Sequence, residues 1–291
     1  MKIRAATRGS ALALWQTNHI SELLSAAIGV EVEPVVVSTA GDRDKTTPLH
    51  EIGGKGVFVK EVQAAVLDGR ADIAVHSAKD LPALTPDELF IGAVPKRADP
   101  RDALVGCTLL DLPQGGTVGT GSIRRQVQIA QVRPDAELVE IRGNIDTRLG
   151  LVKAAGGELD AIVMASAALD RLERTPDVVD RLDVVTMLPQ VGQGTLAIEC
   201  RADDKATIEA LATIDDADTH RILDAERAFL VELGGDCDLP AGAYARLIDG
   251  KVTMSAMLSD GDEAVFVDTR EANDGVGLGR NLAIDLRAKL A

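Results

Sequence analysis

Hydrophobic and polar positions in the first part of the chain follow two alternating periods. Short apolar runs, often β-branched, predict strands at 3–6, 33–38 and 72–76. Between these runs, apolar residues recur at helical spacing and predict helices that begin at Ser10 and near Val57. Strands that alternate with helices are typical of an α/β fold with a largely parallel sheet.

The same alternation starts again after a basic, proline-containing connector at residues 95–103. It predicts strands at 117–119, 138–141 and 160–165, and helices after Ser122 and Ile145. In both rounds a strand passes through a Gly-Ser turn into a helix, which indicates a weak internal repeat. We therefore expect two α/β lobes around a cleft, with ligands bound at the carboxyl ends of the strands.

The last part of the chain has a different pattern. A predicted helix over 219–233 leads into a glycine-rich loop, and a final helix is predicted over 276–289. Between them, three alternating runs joined by tight turns predict strands at 243–248, 252–258 and 264–269. This order predicts a small α+β third domain with a three-stranded sheet. The predicted domains are residues 1–95 plus 193–214, residues 96–192, and residues 215–291.

The net charge of −15, from 31 basic and 46 acidic residues, argues against one class of partner. Nucleic-acid-binding proteins gain affinity from clustered lysine and arginine, so we expect no nucleic acid here. The acid is unevenly spread, because 10 basic and 20 acidic residues fall between 191 and 291. With no secretory signal pattern and no apolar stretch long enough to span a bilayer, we expect a cytoplasmic protein without a membrane partner.

The segment GTGSIRRQ at 119–126 is informative because of its charges. Free N–H groups at a helix start favour anions, so Arg124 and Arg125 in the first turn oppose the helix dipole by a few tenths of a kcal/mol each, as an order-of-magnitude figure. A bound anion would resolve this conflict. The alternative is that both arginines are solvated or pair with acids elsewhere in the chain.

Other cations occupy matching places at strand ends. Arg142 and Arg148 lie in RGNIDTRL, and Arg8 precedes Ser10 in the first lobe. Lys55 lies on a glycine-rich loop that lacks the Walker pattern, so nucleotide binding is poorly supported. Each cation alone reads as a surface charge. Together, their guanidinium groups suit bidentate binding of carboxylate or phosphate.

The segment HSAKDLP at 76–82 follows a predicted strand and places Lys79 and Asp80 at the mouth of the expected cleft. Asp80 beside Lys79 and the arginines should stay ionised, and it could stabilise a cation on a substrate or exchange protons with it. The plainer alternative is an aspartate that caps a loop. The matching segment of the second lobe, MASAALDRL, has no such acid.

Three cysteines are present, at positions that suggest neither a disulfide framework nor a zinc site. Cys107 and Cys200 lie in or next to apolar runs and are expected to be small buried hydrophobes. Cys237 lies in the polar loop GGDCDLP and could be a nucleophile or an attachment point. Asp236 and Asp238 beside it should raise its pKa and slow thiolate chemistry, so the sequence leaves its role open.

Seven motifs together resemble the porphobilinogen deaminase family, also called the hydroxymethylbilane synthases, over nearly the whole chain. They are GGKGVFVKE, HSAKDLP, DPRDAL, GTGSIRRQ, RGNIDTRL, VGQGTLAIECR and the loop GGDCDLP. The resemblance implies three domains, of which the first two are similar to type II periplasmic binding proteins. It also implies that four porphobilinogen molecules are joined into linear hydroxymethylbilane, with release of ammonia, on the route to haem and other tetrapyrroles.

The resemblance further implies a dipyrromethane cofactor, attached by a thioether to Cys237, and a catalytic aspartate at Asp80. Gln193 matches a glutamine at the interdomain crossover, and Lys55 and Phe58 match a loop thought to cover the site. The residues implied to bind the carboxylates of substrate and cofactor are Arg8, Ser10, Lys79, Thr120, Ser122, Arg124, Arg125, Arg142, Gly143 and Arg148. A monomer is expected.

This chain departs from the family pattern in two places. Gly121 stands where many relatives have serine, which removes one hydroxyl donor from the expected cofactor site. Asp236 and Asp238 flank Cys237 where neutral residues are commoner. Two other functions are weighed against the synthase: a two-lobed anion-binding protein without catalysis, which leaves Asp80 and the third domain unexplained, and a thiol enzyme, which lacks a local histidine base.

Overall fold

A computed structural model describes residues 2–39, 59–234, 240–261 and 264–290. The described residues fall into two compact units. The first unit holds the residues up to Ala98 together with 195–224. The second unit holds residues 99–194 and 225–233 and the described residues from 240 onward. None of the described helices is long and apolar enough to cross a membrane.

The described elements are named in chain order. The strands are β1 (Lys2–Arg8), β2 (Glu31–Val37), β3 (Ile73–Ser77), β4 (Leu89–Ala93), β5 (Asp102–Val105), β6 (Thr117–Gly119), β7 (Glu137–Val139), β8 (Ala161–Ala165), β9 (Val179–Arg181), β10 (Leu196–Arg201), β11 (Ala241–Ile248), β12 (Lys251–Ser259) and β13 (Val265–Ala272). The helices are α1 (Ala11–Ile28), α2 (Lys60–Leu67), α3 (Ile123–Val132), α4 (Ile145–Leu149), α5 (Ser166–Arg171), α6 (Lys205–Ala212), α7 (Ala217–Glu232) and α8 (Gly275–Leu290). Short 3-10 turns lie at Ala78–Asp80 and Lys153–Ala155.

The first unit contains a five-stranded sheet in the order β2-β1-β3-β10-β4. Strand β10 runs antiparallel to both of its neighbours, while β1, β2 and β3 run parallel. Ile20 and Leu24 of α1 pack on one face of the sheet with Ile198. Val62 and Val66 of α2 pack on the other. Because both faces are covered, the central strands are continuous apolar runs.

The second unit contains a second five-stranded sheet in the order β7-β6-β8-β5-β9. Its strand β5 is antiparallel to both neighbours, and it occupies the position that β10 occupies in the first sheet. Helix α3 packs through Ile129 against one face, and Leu169 of α5 packs against the other. The internal repeat predicted from the Gly-Ser turns therefore extends to the order and direction of the strands.

The remaining strands form a separate antiparallel sheet in the order β11-β12-β13. Asp249 and Gly250 both have positive φ, at 50° and 78°, as a two-residue hairpin turn requires. Met257 of this sheet packs with Val127 and Leu188 of the second unit. The predicted fold class, two α/β lobes with a small α+β domain, is confirmed. The predicted domain boundaries stay a prediction.

Several elements were missed or displaced in the sequence-based prediction. Strands β4, β5 and β9 are three to five residues long, too short for a periodic signal to stand out. The prediction of a helix from Val57 falls partly outside the described residues, since α2 begins at Lys60. Strand β7 ends at Val139, two residues before the predicted end.

Candidate functional site

The carboxyl ends of β1 and β3 border a recess in the first unit. It encloses about 330 Å³, including space open to solvent, and its lining includes Arg8, Gln16, His76, Ser77 and Asp80. Arg8 is the last residue of β1, Ser77 is the last residue of β3, and Asp80 ends the 3-10 turn that follows. The structure therefore brings Arg8 and Asp80 to one site at the predicted strand ends.

Hydrogen bonds fix the floor of this recess. Gln16 of α1 donates from Nε2 to Ser77 Oγ at 3.1 Å, and the Ala78 N–H donates to the Thr195 carbonyl at 3.0 Å. Ser10 accepts the Ala13 N–H at 3.3 Å and thereby caps α1, as the sequence predicts. Because these bonds hold the end of β3 and the start of α1, the recess is supported by regular structure.

In the second unit, two predicted anion-binding arginines are enclosed by the protein itself. Arg124 Nη2 lies 2.7 Å from Asp102 Oδ2, and Arg125 Nη2 lies 2.7 Å from Oδ1 of the same carboxylate. The exposed fractions are 3% for Arg124, 7% for Arg125 and 0% for Asp102. Of the alternatives that the sequence left open, pairing with an acid elsewhere in the chain is the one that the structure shows.

The electrostatics of this pair follow from burial and from charge. Burial alone would raise the pKa of Asp102, but the charges of Arg124 and Arg125 and a hydrogen bond from Gln193 lower it to about 2. Gln193 Nε2 lies 3.0 Å from Asp102 Oδ1 and also donates to the Pro100 carbonyl at 2.8 Å. Asp102 thus remains ionised between two guanidinium groups, which leaves one positive charge in excess within this group.

Two further arginines lie close to this excess charge. Burial lowers the pKa of Arg148, and the nearby positive charges of Arg125 and Arg142 lower it further. Arg148 also donates from Nε to the Gly143 carbonyl at 2.8 Å. Like charges held together in a partly buried place are the expected signature of an anion site. We call Arg125, Arg142 and Arg148 the guanidinium cluster.

The hydroxyl groups predicted beside this cluster have different environments. Thr120 is buried, and its Oγ1 accepts the Ser122 N–H at 3.2 Å. Ser122 is the N-cap residue of α3, but its side chain makes no capping hydrogen bond. The sequence predicts the cap position of Ser122 correctly, while the hydroxyl itself is not used for capping.

Comparison with known proteins decides the family. A family model described as "Porphobilinogen deaminase, dipyromethane cofactor binding domain" matches residues 3–209, and one described as "Porphobilinogen deaminase, C-terminal domain" matches residues 221–291. The chain belongs to the porphobilinogen deaminase family. The resemblance inferred from the seven motifs is thereby confirmed.

Individual relatives agree with the family models. The chain is 45% identical over 292 residues to the porphobilinogen deaminase of Syntrophobacter fumaroxidans, with 98% of this chain and 94% of the relative covered. It is 45% identical over 294 residues to that of Brevibacillus brevis, with 99% and 94% covered.

Among solved structures, an ancestral cationic amino acid solute binding protein is 15% identical, with a TM-score of 0.46 over 78% of this chain and 93% of that chain. The methionine-binding protein MetQ is 11% identical, with a TM-score of 0.44 over 78% and 94%.

Sequence reasoning missed three buried polar residues near the predicted sites of this family member. Asp102 was seen only as part of the motif DPRDAL, and its role as the partner of two arginines depends on a strand pairing that spacing does not reveal. Arg171 is 8% exposed and donates to the Gly194 carbonyl at 2.9 Å, and burial lowers its pKa to about 10. The sequence predicts the helix that contains Gln16, but nothing in it indicates the hydrogen bond from Gln16 to Ser77.

Some predicted residues are elsewhere or cannot be placed. Lys79 is half-buried and does not line the recess, although it lies in the same turn as Asp80. Lys55, Phe58 and Cys237 lie outside the described residues. Their predicted roles stay predictions.

The prediction that the other two cysteines are buried holds for Cys200, whereas Cys107 is partly buried. Cys200 is buried in the apolar core of the first unit, and burial raises the pKa of its thiol to about 11. Cys107 packs against the core of the second unit, and burial raises its pKa as well. A raised pKa lowers the thiolate fraction, so neither thiol is suited to nucleophilic chemistry at neutral pH.

The structure gives a physical reason for the glycine at position 121. A Cβ built on Gly121 would lie 2.8 Å from the Ile141 carbonyl oxygen, which is closer than real Cβ contacts. We expect Gly121→Ser to lower the free energy of unfolding by about 1–3 kcal/mol, because the backbone must shift to admit the side chain. Urea unfolding of Gly121→Ser measures this.

Gly150→Ser is a matched control for this substitution. The nearest atoms to its Cβ, the Thr147 and Asp146 carbonyl oxygens, lie at 3.5 and 3.6 Å, so little loss is expected. Equal unfolding midpoints for the wild type and Gly121→Ser would show that the backbone yields freely at position 121.

Proposed function

We propose that this chain condenses four porphobilinogen molecules into linear hydroxymethylbilane with release of ammonia, as a transferase of tetrapyrrole biosynthesis. The observation that carries the proposal is the guanidinium cluster of the second unit, joined to a full-length match to the family. A substrate with an acetate and a propionate side chain needs several cations close together, and the guanidinium cluster supplies them. The runner-up, a non-catalytic anion-binding protein, is not favoured by these relatives.

The guanidinium cluster would bind the carboxylates of the pyrroles. Arg142 and Arg148 lie close to each other and to Arg125, and guanidinium groups bind carboxylates in bidentate fashion, so this concentration of positive charge suits a ligand carboxylate. Arg125 would contribute its charge while its Nε and Nη2 remain on Asp102. The predicted ligands Thr120, Ser122 and Gly143 belong to the same strand ends and helix starts, which supports their assignment to this subsite.

Asp80 would act on the reacting carbon and nitrogen atoms. The carboxylate of Asp80 lines the recess together with Arg8. A pyrrole whose own carboxylate binds Arg8 would therefore lie next to Asp80. As ammonia leaves, positive charge develops on the pyrrole. An adjacent carboxylate would stabilise this charge and could accept a proton from the substrate or return one to it. Ser10 and Lys79 are proposed to assist carboxylate binding from the same strand ends.

The dipyrromethane cofactor would be attached to Cys237. It carries four carboxylates, and the guanidinium cluster, with positive charge in excess, fits a group of that chemistry. When bound, it supplies the pyrrole carbon from which the product chain grows. Arg125, Arg142 and Arg148 would hold and orient its carboxylates. Gln193, Lys55 and Phe58 are proposed to serve the crossover and the covering loop.

The experiment that tests the attachment is an intact-mass measurement after expression with ample substrate. We expect the native protein to carry a stable two-pyrrole adduct that reacts with an aldehyde reagent for pyrroles, and Cys237→Ser to lack it. Cys107→Ser is the matched control and should keep the adduct, because Cys107 packs in a core. A native mass equal to that of the bare polypeptide would reject the assignment, including the prediction that Asp236 and Asp238 do not prevent attachment.

Three expectations about the organisation and location of the protein accompany this proposal. The domain division at 1–95 plus 193–214, 96–192 and 215–291, the monomeric state and the cytoplasmic location remain predictions from the sequence and its family resemblance.

A further inference from the structure

A buried acid and imidazole pair lies in the first unit, under the recess. His76 Nε2 is 3.0 Å from Oε2 of Glu199, and the side chains are 4% and 0% exposed. Gln63 of α2 donates from Nε2 to both carboxylate oxygens, at 2.9 and 3.1 Å. Across β3 and β10, Ala197 is opposite His76 and Glu199 is opposite Ala74, so His76 and Glu199 are diagonal neighbours on one sheet face.

This pair has an electrostatic requirement. A carboxylate withdrawn from water is strongly destabilised unless donors or a cation face it. Gln63 supplies an amide N–H without net charge, while His76 is ionisable and faces Oε2 at hydrogen-bond distance, although outside the angular range of a regular hydrogen bond. A carboxylate at this distance favours a proton on Nε2 over a lone pair there.

His76 also reaches the recess, whereas Glu199 and Gln63 are not among the residues that line it. The imidazole therefore connects a buried acid to the space that Asp80 and Arg8 border. Besides His76, the described ionisable residues that line this space are Arg8 on β1 and Asp80 in the turn after β3, while Glu199 on β10 faces the imidazole. The synthase proposal assigns no role to His76, Glu199 or Gln63.

We propose that His76 is a positioning residue for the reaction proposed above, held by Glu199 with a proton on Nε2 so that its ring and its tautomer are fixed beside Asp80. The inference rests on the proposed function for its effect on turnover, and on the geometry alone for the state of the imidazole.

The first experiment observes the ring directly and needs no substrate. Long-range ¹H–¹⁵N correlation spectra of the protein as isolated report the protonation of each imidazole nitrogen in its four histidines, and His76→Asn assigns the signal of interest. We expect a protonated Nε2 in the wild type and a changed pattern in Glu199→Gln. A His76 signal with the proton on Nδ1 alone, or one unchanged by Glu199→Gln, would overturn the inference.

The second experiment measures turnover. Glu199→Gln keeps the shape of the side chain and removes its charge, and we expect kcat to fall about tenfold while KM stays within about twofold, since the carboxylate-binding arginines are untouched. Glu33→Gln is the matched control, because Glu33 is half exposed and pairs with Lys2 at the surface. A kcat for Glu199→Gln equal to that of this control would contradict the positioning role.

A further variant covers the case in which Glu199→Gln does not fold. Gln63→Leu removes the amide that holds the carboxylate and leaves the acid and the imidazole in place. We expect a change of the His76 signal in the same direction as in Glu199→Gln, together with a smaller loss of kcat. An unaltered signal and kcat would overturn the clamping role of Gln63 and Glu199. If the wild type itself has no synthase activity, the proposed function fails, while the spectra still decide the state of His76.

Discussion

Asp80→Asn is expected to lower turnover about 100- to 10,000-fold, the range that removal of a general acid or base produces. Asparagine has nearly the same volume, so the 3-10 turn Ala78–Asp80 and the hydrogen bond from Ala78 to Thr195 should persist. Under the proposed function, this substitution removes the negative charge that would stabilise the positively charged pyrrole, together with the proton acceptor. Steady-state kinetics with porphobilinogen, supported by circular dichroism, measure both sides of this expectation.

Asp87→Asn provides the matched control for this experiment. Asp87 is exposed, lies seven residues further along the same segment and does not line the recess. We expect it to keep full turnover. Near-normal turnover of Asp80→Asn, with the control also active, would reject the role assigned to Asp80. An equal loss in both variants would point to a general disturbance of the segment.

Much of the fold was predictable because its signals are local. A Gly-Ser turn follows β1 and β6, and an aspartate directly precedes β3 and β8. The side chain of Ser10 caps the helix α1, as predicted. Repetition of these signals predicts two similar lobes, and the two sheets share one strand order. No local signal gives the antiparallel direction of β5 and β10, because their place in the sheets depends on crossover connections and not on their own residues.

The site was predictable in its chemistry but not in its pairing. For the arginines that oppose the dipole of α3, the sequence leaves open a bound anionic ligand, solvation, or an anion supplied by the chain itself, and the structure shows an anion of the last kind. One such anion is Asp102 of the protein, 22 residues before Arg124 and brought there by the pairing of β5 with β8. The sequence contains both partners, but no periodicity or spacing connects residues on different elements.

The two lobes, alike in topology, differ in their buried acids. In the first sheet the antiparallel strand β10 carries Glu199, which faces an imidazole. In the second sheet the antiparallel strand β5 carries Asp102, which faces two guanidinium groups. In each lobe the antiparallel strand of the sheet therefore carries one buried acid, and the lobes differ in the side chains that face it.

Asp102→Asn is expected to lower the free energy of unfolding by about 3–5 kcal/mol, because it leaves two buried guanidinium groups without their counter-charge. Asparagine has the same size as aspartate, and the loss therefore reports charge and hydrogen bonding rather than a cavity. Urea unfolding at neutral pH measures it. Asp177→Asn is the matched control, since Asp177 is exposed in the same unit, and its midpoint should equal that of the wild type.

The dependence of this effect on pH gives a sharper test. The pKa of Asp102 is lowered in the folded protein to about 2 from an ordinary value of 3.8, so its ionised form stabilises the fold fully above about pH 4. As the pH falls from about 4 to 2, this contribution of roughly 2–3 kcal/mol is lost from the wild type. The asparagine variant has no such group to protonate.

The gap in unfolding free energy between the wild type and Asp102→Asn should therefore narrow as the pH falls from about 5 to 2. A gap that stays constant over this range would mean that the charge of Asp102 does not stabilise the buried arginines. The wild type and Asp177→Asn should lose stability in parallel, because Asp177 is exposed. If the guanidinium cluster depends on Asp102 for its geometry, Asp102→Asn should also raise KM for porphobilinogen at neutral pH, where the variant is still folded.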